Sequence, residues 1–158
     1  LSEVLHFEYV ELEYLLKHAD IVTLHVPSLP ATYHILNKKR IAMMKHGAIV
    51  INTARGDLID TDALFKALKD GKLGGAGLDV VEGEDVIRED HELLINENNP
   101  EKLRRLVKDE MLFHLPNVVF TPHIAFFSKE ALIRIMQTTA DNINSFEKNE
   151  KLVNLVVR

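Results

Sequence analysis

Three residue types stand where three apolar runs end, and together they could handle a small carboxylic acid. Arg55, in Asn52-Thr53-Ala54-Arg55-Gly56-Asp57, offers a planar fork that grips a carboxylate bidentately. Gly56 beside it lets a ligand approach the backbone. A lone surface arginine is more often a weak salt bridge, but the carboxyl end of a buried strand reverses that preference. His123, after Thr121-Pro122, carries a ring that titrates near neutrality and can shuttle a proton. Glu84, in Glu82-Gly83-Glu84, is the carboxylate that could keep such a ring charged and its proton ready to donate. Asp79 lies within an apolar run, where an unpaired charge is costly. It is expected at the exposed end of its strand, bound to something polar, or bonded with Glu82 to local backbone.

The remaining histidines weigh less. His25 ends a strand, and the structural and cleft-lining readings stand equal there. His6, His18, His34, His46, His91 and His114 fall in polar or helix-end settings and read as solvated. None has metal-ligand spacing with another histidine or carboxylate, so no metal is expected. The glycines of Gly71–Gly77 precede a strand, whereas a dinucleotide loop follows one and opens a helix. They read as a helix stop and tight turn.

The elements that position these residues alternate. Ala48–Asn52 is a continuous apolar run, the pattern of a strand covered on both faces of a parallel sheet. A helix over about Thr61 to Asp70 follows, closed by Gly71, and then a strand over about Ala76 to Val81. Upstream, a short helix with Leu12, Leu15 and Leu16 on one face leads to a strand over Asp20–Val26. Asn37 caps a helix over Lys38–His46 that turns Ile41 and Met44 inward, with Gly47 beyond it. Asp85–Asn99 is acidic and irregular. Asn99-Pro100 opens a helix burying Leu103, Leu106, Val107 and Met111. After a strand at Asn117–Phe120, Ser128 caps a long helix whose stripe is Ala131, Leu132, Ile135, Met136, Ile143 and Phe146. Leu152–Val157 is a short apolar tail. Four strands alternating with helices predict an α/β fold with a parallel sheet and right-handed crossovers. In such sheets ligands collect outside the carboxyl ends of the strands.

Composition sets outer bounds. The 158 residues, 46% apolar and 27% charged, suit a globular domain able to bury a sizeable core. A net charge of −5 gives no basic footprint for nucleic acid. No apolar run approaches the length of a bilayer span, and no secretory signal is visible. The absence of cysteine excludes disulfide and thiolate chemistry and suits a cytoplasmic setting. The first residue is Leu1, which reads as processing or as a piece of a longer chain.

Asn52-Thr53-Ala54-Arg55-Gly56, Gly77-Leu78-Asp79-Val80-Val81-Glu82-Gly83-Glu84 and Thr121-Pro122-His123-Ile124-Ala125 resemble, in order and spacing, three blocks of the D-2-hydroxyacid dehydrogenases. His25-Val26-Pro27 resembles a fourth. The long insertion before Val118 and Ala125-Phe126-Phe127 look most like the D-lactate dehydrogenase branch, although Asp85 stands where other branches place proline.

The resemblance implies a Rossmann-like fold of which this chain holds the C-terminal half. Residues 1–125 would belong to the NAD-binding domain, and 126–158 to an interdomain helix and tail. It implies hydride transfer between NAD(H) and a small D-2-hydroxy or 2-keto acid, in a homodimer, with no nucleic acid or membrane partner. Arg55 would bind the substrate carboxylate, His123 would protonate the carbonyl, and Glu84 would hold His123 charged. Val26, Pro27, Thr53, Ala54, Arg55 and Asp79 would line the cofactor cleft, with Thr32 at a further cofactor position. The Gly-rich turn of the family is not in this chain, and the strand at Ile21–Val26 would stand at an apolar edge. The isolated chain is therefore expected to bind NAD weakly and turn over negligibly. The alternative is a non-catalytic binding or oligomerising module derived from the same family.

Overall fold

The computed structural model describes residues 7–83 and 100–155, with residues 100–103, 105 and 106 described for their backbone alone. The elements are α1 (Leu12–His18), β1 (Ile21–Leu24), α2 (Lys38–Met43), β2 (Ala48–Asn52), α3 (Thr61–Lys69), β3 (Leu73–Leu78), α4 (Pro100–Phe113), β4 (Val118–Phe120) and α5 (Lys129–Glu147). The chain divides into two compact units, Leu1–His123 and Ile124–Arg158.

In the first unit the four strands form one parallel sheet in the order β1-β2-β3-β4. Parallel crossovers are right-handed. A strand order that only advances in one direction therefore delivers every connecting helix to the same face. Leu16 of α1, Ile41 of α2, Leu64, Ala67 and Leu68 of α3 and Leu112 of α4 share one core with Val22, Leu24, Ala48, Val50, Leu73, Ala76 and Leu78 of the sheet. Phe113 of α4 stacks on Phe120 of β4 with ring centroids 3.8 Å apart.

The opposite face departs from the sequence reading. Within this unit Ala48–Asn52 is covered on one face only: Ile49 is 38% exposed, Ile21 beside it 57%, and Val119 70%. A continuous apolar run marks a strand built to be covered twice, but one-way winding supplies helices to one side. β1 stands at one edge of the sheet, as the sequence led us to expect.

Local signals explain the boundaries. Asn37 and Asp60 cap α2 and α3, accepting from the backbone N–H of Arg40 and Ala63. Gly71 follows α3 with φ +74°, a left-handed stop that glycine adopts without strain. The turn expected over Gly71–Gly77 is instead mostly strand, because β3 begins at Leu73. Its small residues have a packing cause: a Cβ on Gly74 would lie 2.4 Å from the Gly47 carbonyl oxygen, and one on Gly75 3.0 Å from that of Asn117. The pairing of β2 with β3 shifts register between Ala48 and Ile49 at this point. In α4 the phase also differs from expectation. Val107 and Met111 are exposed, while Asp109 and Leu112 are buried; the side chains of Leu103 and Leu106 lie outside the described residues.

In the second unit Ser128 caps α5 by accepting from the Ala131 N–H, and the helix buries none of its residues. Among the described residues no helix is long and apolar enough to cross a membrane.

Candidate active site

Register sets the site. Leu24 pairs with Asn52, Asn52 with Leu78, and Leu78 with Phe120, so the last residues of all four strands lie in one row. The chain leaves that row as His25-Val26-Pro27, Thr53-Ala54-Arg55, Asp79 and Thr121-Pro122-His123. Arg55 and His123 are each three residues past the row, on β2 and β4, with β3 between them. Adjacent strands lie about 4.8 Å apart, so these two strand ends are separated by about 10 Å, a gap that a guanidinium and an imidazole can bridge around a small acid.

Each exit is held by hydrogen bonds. Asn52, only 1% exposed, accepts from the Ala54 N–H at 3.1 Å and donates to the Arg55 carbonyl at 2.8 Å, which fixes the turn that presents Arg55. Arg55 itself is exposed, with Nη1 donating to the Ala54 carbonyl at 2.6 Å. Gly56 is a close approach: a Cβ there would sit 2.0 Å from the Val81 carbonyl carbon and oxygen and 2.4 Å from the Glu82 nitrogen. The sequence assigned this glycine to ligand access; its neighbour is the loop leaving β3.

Asp79 continues the ladder, its N–H donating to the Asn52 carbonyl at 2.9 Å. Expected at an exposed strand end, it is instead buried there, its carboxylate accepting from the Thr121 hydroxyl. The carbonyl of Asp79 accepts from the His123 N–H at 2.8 Å. Of the two readings left open, Asp79 thus has a side-chain partner on the next strand. His123 is half-buried and holds φ at +54°, a left-handed conformation uncommon for any residue but glycine and typical of functional sites. Glu84 lies outside the described residues.

The cofactor-lining candidates divide. Val26, Pro27 and Thr53 are exposed at the rim and Ala54 is half-buried. Thr32 donates to the Pro27 carbonyl at 2.6 Å and accepts from the Leu29 N–H at 2.9 Å, closing the loop after β1. The His25 ring meets the Thr23 hydroxyl at 3.0 Å on the same rim. His34, read as solvated, is half-buried against Glu82, Nε2 to Oε1 3.1 Å. Glu82 thus reaches a side chain far along the chain, not merely local backbone. Asn52 and Thr121 were overlooked, although a polar residue closing an apolar run is the same signal that singled out Asp79. Among the described residues no cluster of three metal-ligating side chains occurs.

An arginine, a left-handed histidine and a buried aspartate thus stand on the carboxyl rim of a parallel sheet, the edge where ligands of open α/β domains collect. The family model for the D-isomer specific 2-hydroxyacid dehydrogenase NAD binding domain matches residues 2–125, and the chain belongs to that family. It is 40% identical over 148 residues to a D-specific alpha-keto acid dehydrogenase of Enterococcus faecalis, covering 94% of this chain and 44% of that protein. It is also 40% identical over 154 residues to a D-lactate dehydrogenase of Escherichia coli, covering 95% and 44%. The structure of D-lactate dehydrogenase from Aquifex aeolicus complexed with NAD and lactic acid superposes with a TM-score of 0.79 at 38% identity, over 90% of this chain and 41% of that one. The chain thus spans well under half the length of these relatives.

Proposed function

We propose that this chain carries the substrate-gripping and proton-donating residues of an NAD-dependent reductase of small 2-keto acids, of the D-lactate/pyruvate type. The observation that supports it is the level row Leu24, Asn52, Leu78 and Phe120, from which the Arg55 and His123 loops leave on the same rim, one strand apart on either side of β3. Residues 1–125 are assigned to the C-terminal half of the nucleotide domain and 126–158 to the helix and tail that return toward a substrate domain.

In this reading the Arg55 guanidinium takes the substrate carboxylate in a bidentate grip, which fixes how the keto group is presented. His123 donates its ring proton to the ketone oxygen, so the carbonyl becomes a hydroxyl and the ring is left neutral. Glu84 favours the charged ring before the transfer. NAD in its reduced form, when bound, supplies the hydride that adds to the keto carbon.

The residues present fit the nicotinamide side of that cofactor. Val26 and Pro27 offer an exposed apolar wall, Thr53 and Ala54 line the neighbouring strand end, and Asp79 is an acceptor anchored by Thr121. No Gly-rich turn that could cradle a pyrophosphate is in the sequence. We therefore assign weak NAD binding and negligible turnover to the chain alone, and activity to the complete enzyme, a cytoplasmic homodimer. The test is His123→Gln in the complete enzyme. The rate of keto-acid reduction should fall about 10²–10⁴-fold, and an unchanged rate would remove the reading.

A further inference from the structure

We propose that His34, acting with Tyr33 through Glu82, is a positioning residue that locks the Arg55 loop to the loop leaving β3. This rests on the reading of Arg55 as the carboxylate grip.

Three loops on the carboxyl rim form a closed ring of contacts. From the loop after β1, the His34 N–H donates to the Asp57 carbonyl at 2.9 Å and the Leu36 N–H to the Leu58 carbonyl at 3.0 Å. Ser28 adds a hydrogen bond from its hydroxyl to the Asp57 carboxylate. These bonds hold the loop after β2, which carries Arg55. That loop in turn rests on the loop after β3, since Gly56 leaves no room for a Cβ between itself and the Val81–Glu82 backbone. The ring closes when Glu82 Oε1 reaches back to the first loop, 3.1 Å from His34 Nε2 and 3.2 Å from the Tyr33 hydroxyl oxygen, which donates to it.

His34 thus bonds to both other loops, to the loop after β2 through its backbone and to the loop after β3 through its ring. Two further observations set it apart from a surface histidine. Its φ is +46°, a conformation that costs free energy in a non-glycine residue and persists only where surroundings impose it. Its ring also lies flat against Tyr33, with centroids 3.9 Å apart and planes 17° from parallel. Its reach to Glu82 is therefore fixed before any ligand arrives. The half-buried contact, its side chains 25% and 22% exposed, ties down the Glu82 carboxylate. A clamp there governs where the guanidinium stands without touching substrate.

The experiment is a kinetic split in the complete dehydrogenase. Glu82→Ala removes the acceptor. His34→Asn keeps a side chain that tolerates left-handed backbone but is too short to reach Glu82. Each should raise KM for the 2-keto acid about 10- to 100-fold while leaving KM for NADH within about twofold, because the loss is of substrate orientation. Glu82→Gln, whose amide oxygen accepts from both partners, should restore KM. The double variant should be no worse than either single one, since one contact is lost in each case. Unchanged keto-acid KM in Glu82→Ala, or multiplying losses in the double variant, would overturn the clamp.

A second readout needs no activity. The backbone amide resonances of Gly56 and Asp57 should move in Glu82→Ala and His34→Asn and stay in place in Glu82→Gln. Resonances that stay in all three would overturn it. If the wild-type enzyme fails to reduce any 2-keto acid, the proposed function falls, while these resonances still decide the clamp.

Discussion

Replacing Gly56 by alanine adds one methyl group at the tightest point on the carboxyl rim. The new carbon would stand 2.0 Å from the carbonyl carbon and oxygen of Val81 and 2.4 Å from the nitrogen of Glu82. Ordinary carbon contacts run about 3.5–4.0 Å, so the loops after β2 and β3 must part by about 1.5 Å. All three obstructing atoms are backbone, and no rotamer change relieves them. Overpacking of this kind costs about 1–3 kcal/mol of stability. The catalytic cost is of similar size, because the parting moves Arg55 away from His123, and a misplacement of about 1 Å can lower a rate about 10²-fold. The assay is kcat/KM for keto-acid reduction in the complete enzyme, read beside the urea midpoint. Gly77→Ala is the control: a Cβ there would meet only the Ile51 side chain at 3.8 Å, an ordinary contact, so stability and rate should stay near wild type. A Gly56→Ala enzyme with normal kcat/KM would refute the reasoning that the two loops set Arg55 in place.

Further outcomes follow from single contacts. Asn52→Ala should lower stability by about 1–3 kcal/mol, because the buried amide holds the Ala54 N–H and the Arg55 carbonyl at once; a urea midpoint equal to wild type would count against it. Thr121→Val removes the donor to the Asp79 carboxylate and should cost about 1–3 kcal/mol by the same measurement, whereas Thr121→Ser should cost less. Gly71→Ala forces a side chain into φ +74° and should cost about 1–2 kcal/mol, visible as a lower thermal midpoint.

How far the fold could be read from the sequence is clearest in particular elements. Ala48–Asn52 announces itself as a strand because four apolar residues end in a polar one, and Asn37 and Ser128 announce helix starts through their side-chain oxygens. The glycines of β3 look like a turn in sequence, which puts its expected start at Ala76, three residues past the observed Leu73. What makes them strand residues is the approach of Gly47 and Asn117, which are remote in sequence. The inward face of α4 was misjudged for a similar reason: Leu112 is buried by the neighbours it meets, and periodicity alone offered Met111 equally well.

The candidate site shows the same division. The residue types came from the chain itself, since a guanidinium, an imidazole and a carboxylate after three apolar runs state which chemistry is available. That these ends stand level was decided by pairing register, which joins Asn52 to Leu78 and Leu78 to Phe120. The partnership of His34 with Glu82 was likewise invisible in sequence, because hydrogen bonds and ion pairs act over a few ångströms whereas these residues are 48 positions apart. Sequence determined the elements and their chemical groups, for those follow from local backbone and side-chain preferences. Only the tertiary structure decided which groups face one another and which face of the sheet is covered, because both depend on strand order and on the hand of the crossovers.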